Sequence, residues 1–350
     1  MSTTQTAPPT AVTPQPKRRS LTAQFLRRPE MGAIAAAIAV GLFFSLQSSV
    51  FRSPNGIANW LDPAATLGIM AVAVALLMIG GEFDLSAGVV TGTTGLTTAI
   101  LVTSLGWNIF VALIISLVVA LAIGFFNGYM VVTTRLPSLI ITLAMFLFLR
   151  GVNLGGTKLL VGTTQVSGVS ESPGYDFLHT IFGSTISLAG AEFSISILWW
   201  IVITAVAAYV LQRTRVGNWI FAVGGDANAA RAVGVPVKKV KIGLFMTTAA
   251  AGWFIGNMLL IRLDSVQATT GIGQELIYVV AAVIGGCLLT GGFGSAIGAS
   301  IGALIFGMAQ LGIVYLGWDS DWFQAFLGIM LLLAVLGNQL VKHLLNRRPT

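Results

Sequence analysis

From Leu85 to Thr134 the chain carries no Asp, Glu, Lys or Arg. A water-soluble domain, in which about a quarter of residues are charged, cannot hide a stretch of that length and blandness. The rest of the chain is built the same way: 55% of its 350 residues are hydrophobic and 9% charged, with a mean hydropathy of +0.88. There is too little polar surface to cover a globule, so the chain reads as an all-α polytopic integral membrane protein. Run length and the lack of alternating polarity select helices over strands. A span needs roughly 20 apolar residues. Ten runs are candidates: 31–51, 64–80, 86–105, 108–132, 137–150, 194–211, 242–261, 276–290, 294–316 and 322–341. The fifth and eighth are short as drawn. The 41 glycines suit close helix approach.

Ten spans place both termini on one side, and the basic residues choose the side. One set of flanks holds Lys17, Arg18, Arg19, Arg27, Arg28, Arg135, Arg213, Arg215, Arg231, Lys238, Lys239, Lys241, Lys342, Arg347 and Arg348, leaving Arg52, Arg150, Lys158 and Arg262 for the other. The termini and the 212–241 loop are therefore expected in the cytoplasm, and 151–193 outside. The formal charge of +7 is an orientation signal and not a nucleic-acid patch. The expected organisation is a disordered basic cytoplasmic tail over 1–28, a membrane domain over 29–342 and a cytoplasmic tail over 343–350. Thr, Pro and Gln dominate the first 20 residues, which cannot bury a core. They are not a secretory signal, because the apolar run starts only near Met31 and no cleavage site is clear. A lone cysteine, Cys287, and two distant histidines exclude a disulfide framework and a Cys/His metal cluster.

The loop QRTRVGNWIFAVGGDANAARAVGVPVKKVK carries helix punctuation. Asp226 is an N-cap after Gly224-Gly225, Ala227–Val233 a short helix, Gly234 its C′ residue, and Pro236 follows. On this helix Ala229, Ala230 and Val233 form a small apolar face beside Asn228 and Arg231. Two turns are too short to be stable alone in water. A face made mostly of alanine gains little from lipid, which favours a protein groove over the headgroup layer as its seat.

Four motifs in order, GGEFDLSAG (Gly80–Gly88), PSLIITLAMFLFLRG (Pro137–Gly151), TRVGNWIFAVGGDANAARAVGV (Thr214–Val235) and AAVIGGCLLTGGFGSAIGASIGALIFG (Ala281–Gly307), resemble the membrane permease subunit of bacterial ABC sugar importers of the ribose and xylose group. The resemblance covers about residues 30 to 340. It implies a bacterial inner-membrane importer in which the loop helix seats in a groove of an ATP-binding subunit, through Gly225, Asp226, Ala229, Ala230, Arg231 and Gly234. No G-x-x-x-x-G-K-[ST] occurs, so ATP and Mg belong to that partner and this chain is a transport subunit without catalytic residues. The resemblance further implies a second permease subunit, with a homodimer expected, and an extracytoplasmic sugar-binding protein. The transported class would be a pentose, hexose or polyol.

Readings from other classes fit these residues less well. An intramembrane aspartyl protease needs two facing aspartates at membrane depth, yet Asp176 of SESPGYDF falls in the polar external loop. An ion-coupled secondary transporter would use Glu82 and Asp84, since acids at membrane depth are functional candidates, but leaves the loop helix unexplained. Related ABC permeases act on branched-chain amino acids.

Asp84 is expected to cap the helix beginning at Leu85–Ser86. Glu82 is a candidate for the translocation pathway, with Asn127, Asn257 and Phe293; Gln310 is a weaker one. Helix–helix hydrogen bonding is the competing role for the amides. The pairs Gly285-Gly286 and Gly291-Gly292 mark a tight turn with close packing, and Gly80-Gly81 is a weak echo of the first. Trp199, Trp200, Trp318 and Trp322 are expected as interfacial anchors.

Overall fold

A computed structural model describes the backbone of residues 30–346, with side chains described to Leu336. The 1–28 tail and residues 347–350 lie outside the described residues. Thirteen α-helices are present among those described. Each of the ten apolar runs falls on one: α1 (Glu30–Gln47), α2 (Pro54–Ile79), α3 (Ala87–Thr103), α4 (Ile109–Thr134), α5 (Ser138–Val161), α7 (Ser196–Arg213), α10 (Val237–Leu263), α11 (Glu275–Ile284), α12 (Ala296–Tyr315) and α13 (Trp322–Asn346). The other three are α6 (Tyr175–Phe182), α8 (Arg215–Gly225) and α9 (Ala227–Ala232). Among the described residues seven helices are long and apolar enough to cross a membrane, and α3, α11 and the described part of α13 are shorter apolar helices. The protein is a polytopic helical membrane protein.

The centre of the bundle is α2. From Ala64 to Ile79 nearly every side chain is buried, as expected of a helix hydrophobic on all sides. It packs on α7, α10, α11 and α12, while α4 lies along α10. Polar residues tie α3, α4 and α10 together: Thr98 Oγ1 donates to Asn257 Oδ1 at 2.6 Å, Asn257 Nδ2 to the Trp253 carbonyl at 2.9 Å, and Trp253 Nε1 to Ser116 Oγ at 2.9 Å. In a dry interior such bonds specify which helices are neighbours.

Two short antiparallel pairs lie at the end of the bundle away from α9. Strand β1 (Gln165–Ser167) pairs with β4 (Ser265–Gln267), and β2 (Thr185–Leu188) with β3 (Ala191–Ser194). There Arg262 at the end of α10 bonds Asp62 of α2 at 2.6 Å.

Several sequence-based boundaries move. The fifth helix runs to Val161, past Arg150, so the loop drawn from 151 starts at Gly162. Arg150 is exposed and does not interrupt the helix. The 212–241 loop shortens to 214–236, because α10 starts at Val237 and carries Lys238, Lys239 and Lys241 in its first turns. The drawn end of the membrane domain at 342 falls inside α13. Trp200 is no interfacial anchor: it is buried against α2 where Gly68 leaves room for its ring.

Candidate functional site

The loop between α7 and α10 holds two helices, not the one read from the sequence. α8 begins with the Thr214 hydroxyl accepting the Gly217 N–H at 3.2 Å. It buries Gly217, Ile220 and Val223, one face at helical spacing, against α2, α7 and α10. Asp226 ends α8 and starts α9. Its extended backbone (φ −155°, ψ 104°) breaks the helix, and its Oδ1 accepts the N–H groups of Asn228 at 2.8 Å and Ala229 at 3.0 Å. These two bonds hold the Asp226 carboxyl below the usual carboxylate range. The C-terminus closes as a Schellman motif: Gly234 (φ 85°) donates to the Arg231 carbonyl at 3.1 Å and Val235 to the Ala230 carbonyl at 3.0 Å. The expected cap and C′ residue are thus in place.

The expected apolar face is not. Ala230 is 4% exposed and points into the chain's own core, whereas Val233 is 81% exposed. Ala229, Asn228 and Arg231 are exposed. Adjacent helical residues point about 100° apart, so Ala229 and Ala230 cannot share one narrow face, and Val233 is already past the last helical turn. Ala230 anchors the helix; Asn228, Ala229, Arg231 and Val233 are the surface it presents. Gly225 is exposed beside them, with open space where a Cβ would stand.

Beneath α9 three glycine pairs that are distant in sequence meet. Gly224 at the end of α8 stands against the Ile79 carbonyl of α2, where an added Cβ would lie 1.8 Å from the oxygen and 2.6 Å from Gly292 N. The Gly292 N–H donates to that Ile79 carbonyl at 2.8 Å. A Cβ at Gly291 would lie 2.7 Å from Gly81 Cα, and one at Gly292 2.9 Å from Gly225 Cα. The end of α8, from which α9 departs, therefore rests on bare main chain from α2 and from the 285–295 loop. The α2 and α11 ends match in detail. Gly81 (φ 84°) bonds Met78 and Glu82 bonds Leu77, while Gly286 (φ 92°) bonds Val283 and Cys287 bonds Ala282.

Asp84 Oδ1 accepts from Ser86 N at 2.8 Å and Ser86 Oγ at 2.6 Å, but α3 starts at Ala87 with Ser86 at its N-cap and no side-chain cap bond, so Asp84 holds the turn ahead of the helix and not the helix start itself. Asn127 Nδ2 donates to the same Ser86 Oγ at 2.9 Å. Asn127 is 0% and Asn257 1% exposed, so both serve helix–helix bonding and neither reaches an open surface of the subunit. Glu82 is also buried, its Oε1 engaged by Lys241 Nζ of α10. Of the four candidate pathway residues only Phe293, 42% exposed, is on the surface. A cavity of about 900 Å³ between α2, α7, α8 and α10 is lined by Ile69, Val206, Trp219, Lys239 and Phe254 among others. Its walls are almost wholly apolar and offer little to a polar solute.

Sequence reasoning missed Lys241 as the partner of Glu82, the α8 helix and the meeting of the glycine pairs. The first had a signal, since acids and bases beside apolar runs are candidates to pair, but Asp84, Lys238 and Lys239 stand next to the two and left the choice of partners open.

Apolar helices packed around a largely buried central one, with a capped loop helix at one end, define a multi-pass helical membrane protein. The chain belongs to the family described as branched-chain amino acid transport system / permease component, whose model matches residues 56–335. It is 33% identical over 309 residues to the ribose import permease protein RbsC of Escherichia coli K12, covering 88% of this chain and 92% of the relative. It is 30% identical over 313 residues to the inner membrane ABC transporter permease protein YjfF of the same organism, covering 88% and 90%. The xylose transport system permease protein XylH of Escherichia coli K12 is 30% identical over 354 residues, covering 86% and 89%. No solved structure matches the chain. The chain is an ABC transporter permease of the ribose and xylose type, multi-pass in the inner membrane, and a transport subunit that works with ATPase and binding-protein partners.

Proposed function

We propose that this permease imports a pentose, hexose or polyol delivered by an extracytoplasmic binding protein, as one of two identical membrane subunits. ATP and Mg are bound by a separate ATPase subunit. The termini and the α8–α9 end face the cytoplasm, in keeping with the basic flanks. The observation that carries the reading is α9: a capped helix presenting Ala229, Arg231 and Val233 outward, continuous through Asp226 with the end of α8 that meets the other glycines. A helix so seated passes a push directly to the ends of α2 and α11 and to α12 beyond. Closure of the ATPase dimer would move α9, and the cavity between two permease copies would change the side to which it opens.

The sugar class rests on the relatives' transport names. Branched-chain amino acids are the second reading, favoured by the family's description. Ion coupling through Glu82 and Asp84 finds both acids engaged, one by Lys241 and one by Ser86.

The test is co-purification of an ATPase, followed by uptake in proteoliposomes with the cognate binding protein. Pentoses, hexoses, polyols and leucine are offered in turn. ATP-dependent uptake of one hydroxylated solute is expected. Arg231→Glu should abolish coupled uptake with normal membrane insertion; full uptake by that variant refutes the docking role of α9. Uptake of leucine alone would transfer the assignment to the second reading.

A further inference from the structure

The α11 helix has 10 residues, about 15 Å, half of a hydrocarbon core of about 30 Å. It runs from the level of Gly88 in α3 down to the glycine junction under α9. Ahead of it runs Ser265–Gln274, which holds no helix and, beyond the three residues of strand β4, no regular structure.

The depth of this segment is fixed by α3. Val266 lies against Gly95, the Thr270 carbonyl against Gly92 and Gly271 against Gly88. A Cβ at Gly92 would stand 2.5 Å from the Thr270 oxygen, and one at Gly271 2.0 Å from the Gly88 oxygen. The segment thus follows α3 inward for about 10 Å, at a rise of about 1.5 Å per residue. Its internal bonds are those of successive turns: Thr270 N–H to the Gln267 carbonyl at 3.0 Å, Ile272 to Thr269 at 3.1 Å, Gln274 to Gly271 at 3.2 Å. Glu275 Oε2 accepts the Gly273 N–H at 2.9 Å. On the side away from α3, Gln267, Thr269 and Gly273 are exposed. Behind it Asn153 of α5 is buried, its Nδ2 without a hydrogen-bond partner among the described residues and within 3.6 Å of the Cβ position of Gly92.

Lipid cannot satisfy exposed peptide groups, and irregular backbone is found at membrane depth only where protein covers it or water reaches it. Broken helices of this kind put backbone and polar side chains beside a transported solute. We infer that the segment Gln267–Glu275 lines the solute pathway, with Gln267, Thr269 and Glu275 hydrogen-bonding the passing solute. Hydroxyl-rich solutes match this mixture of donors and acceptors. The inference rests on the transport reading above and adds the residues that meet the solute.

The first test does not depend on which solute is carried. Gln267→Cys, Thr269→Cys and Ile329→Cys are made in the native background, where Cys287 is buried. The assembled transporter in membrane vesicles is treated with a charged, membrane-impermeant thiosulfonate. Ile329, exposed on α13, is the lipid-facing control. The first two variants should react at least ten-fold faster than the third. Rates equal to the Ile329→Cys rate would overturn the inference, because the segment would then be sealed by lipid or by a second copy.

The second test is the ratio of uptake among pentoses, hexoses and polyols for Gln267→Leu and Thr269→Val. A shift of several-fold at unchanged ATPase stimulation is expected, and an unchanged ratio removes the solute contact. If the cysteines react while the unmodified transporter takes up no sugar, the pathway assignment stands and the sugar assignment falls.

Discussion

Gly224→Ala should break the contact between the loop helices and the bundle, while Gly225→Ala, one residue on, should not. The alanine Cβ at 224 would sit 1.8 Å from the Ile79 oxygen and 2.6 Å from Gly292 N. Ordinary contact begins near 3.4 Å, so α8 would have to retreat from α2 by well over an ångström. The same methyl also wedges against Gly292 N and the Ile79 oxygen, which are bonded at 2.8 Å, and forces them apart. A lost backbone hydrogen bond costs about 1 kcal/mol and forcing a methyl into a filled space about 2 kcal/mol, for a total near 3 kcal/mol. At position 225 an added Cβ meets nothing within 4 Å. The assay is thermal unfolding in detergent followed by a thiol-reactive dye, with buried Cys287 as reporter. Gly224→Ala should unfold several degrees below Gly225→Ala. It should also lose the coupling of ATP hydrolysis to uptake. Equal midpoints for the two variants would refute the argument that main-chain contact seats the loop helices.

Other expectations follow from the same geometry. Glu82→Gln and Lys241→Met should each destabilise by about 2 kcal/mol, less than a fully buried broken pair because Lys241 keeps some exposure; the double variant should recover part of the loss, and additive losses in the melting assay would contradict the pairing. Asp84→Ala leaves the Ser86 N–H and hydroxyl without their acceptor in a dry site, a cost of about 1–3 kcal/mol, seen as a lower midpoint with normal insertion. Asp226 is a carboxylate whose folded pKa is depressed, so the cap it makes is complete above the ordinary carboxylate range and is lost as pH falls through the lower, folded value. Hydrogen exchange at Asn228 and Ala229 should therefore show protection at neutral pH that declines in acid, and Asp226→Asn, an equally good cap, should remove the pH dependence while keeping the protection.

The apolar runs were legible because a membrane leaves a chain few choices, and all ten fall on helices. Ends were harder. Arg150 looked like a boundary, but a long basic side chain can reach water from inside a helix. The run 276–290 is too short for a full crossing; the residues ahead of it, SVQATTGIGQ, are by composition an ordinary loop. Nothing local says that such a loop descends along α3. The Asp226 cap and Gly234 stop were readable because capping is a matter of three or four adjacent residues. The meeting of Gly81, Gly224 and Gly292 was not, since it depends on where three remote turns end in space. The same holds for Asn127 and Asn257. An amide in an apolar run fits a pathway or a helix contact equally well until its neighbours are known.

The glycine junction also bears on how permeases of this kind can be recombined. A contact made of side chains can be retuned by exchanging them one at a time, whereas this one is cast in main chain and has no side chain to adjust. On the proposed docking role, a chimera that replaces only Ala227–Ala232 with the matching helix of another permease should accept a new ATPase, because those residues meet the bundle through little more than Ala227 and Ala230. A graft that extends back to Gly224 must bring the turns after α2 and α11 with it. The boundary between exchangeable and inherited parts thus falls at Asp226, the single residue that closes one helix and opens the next.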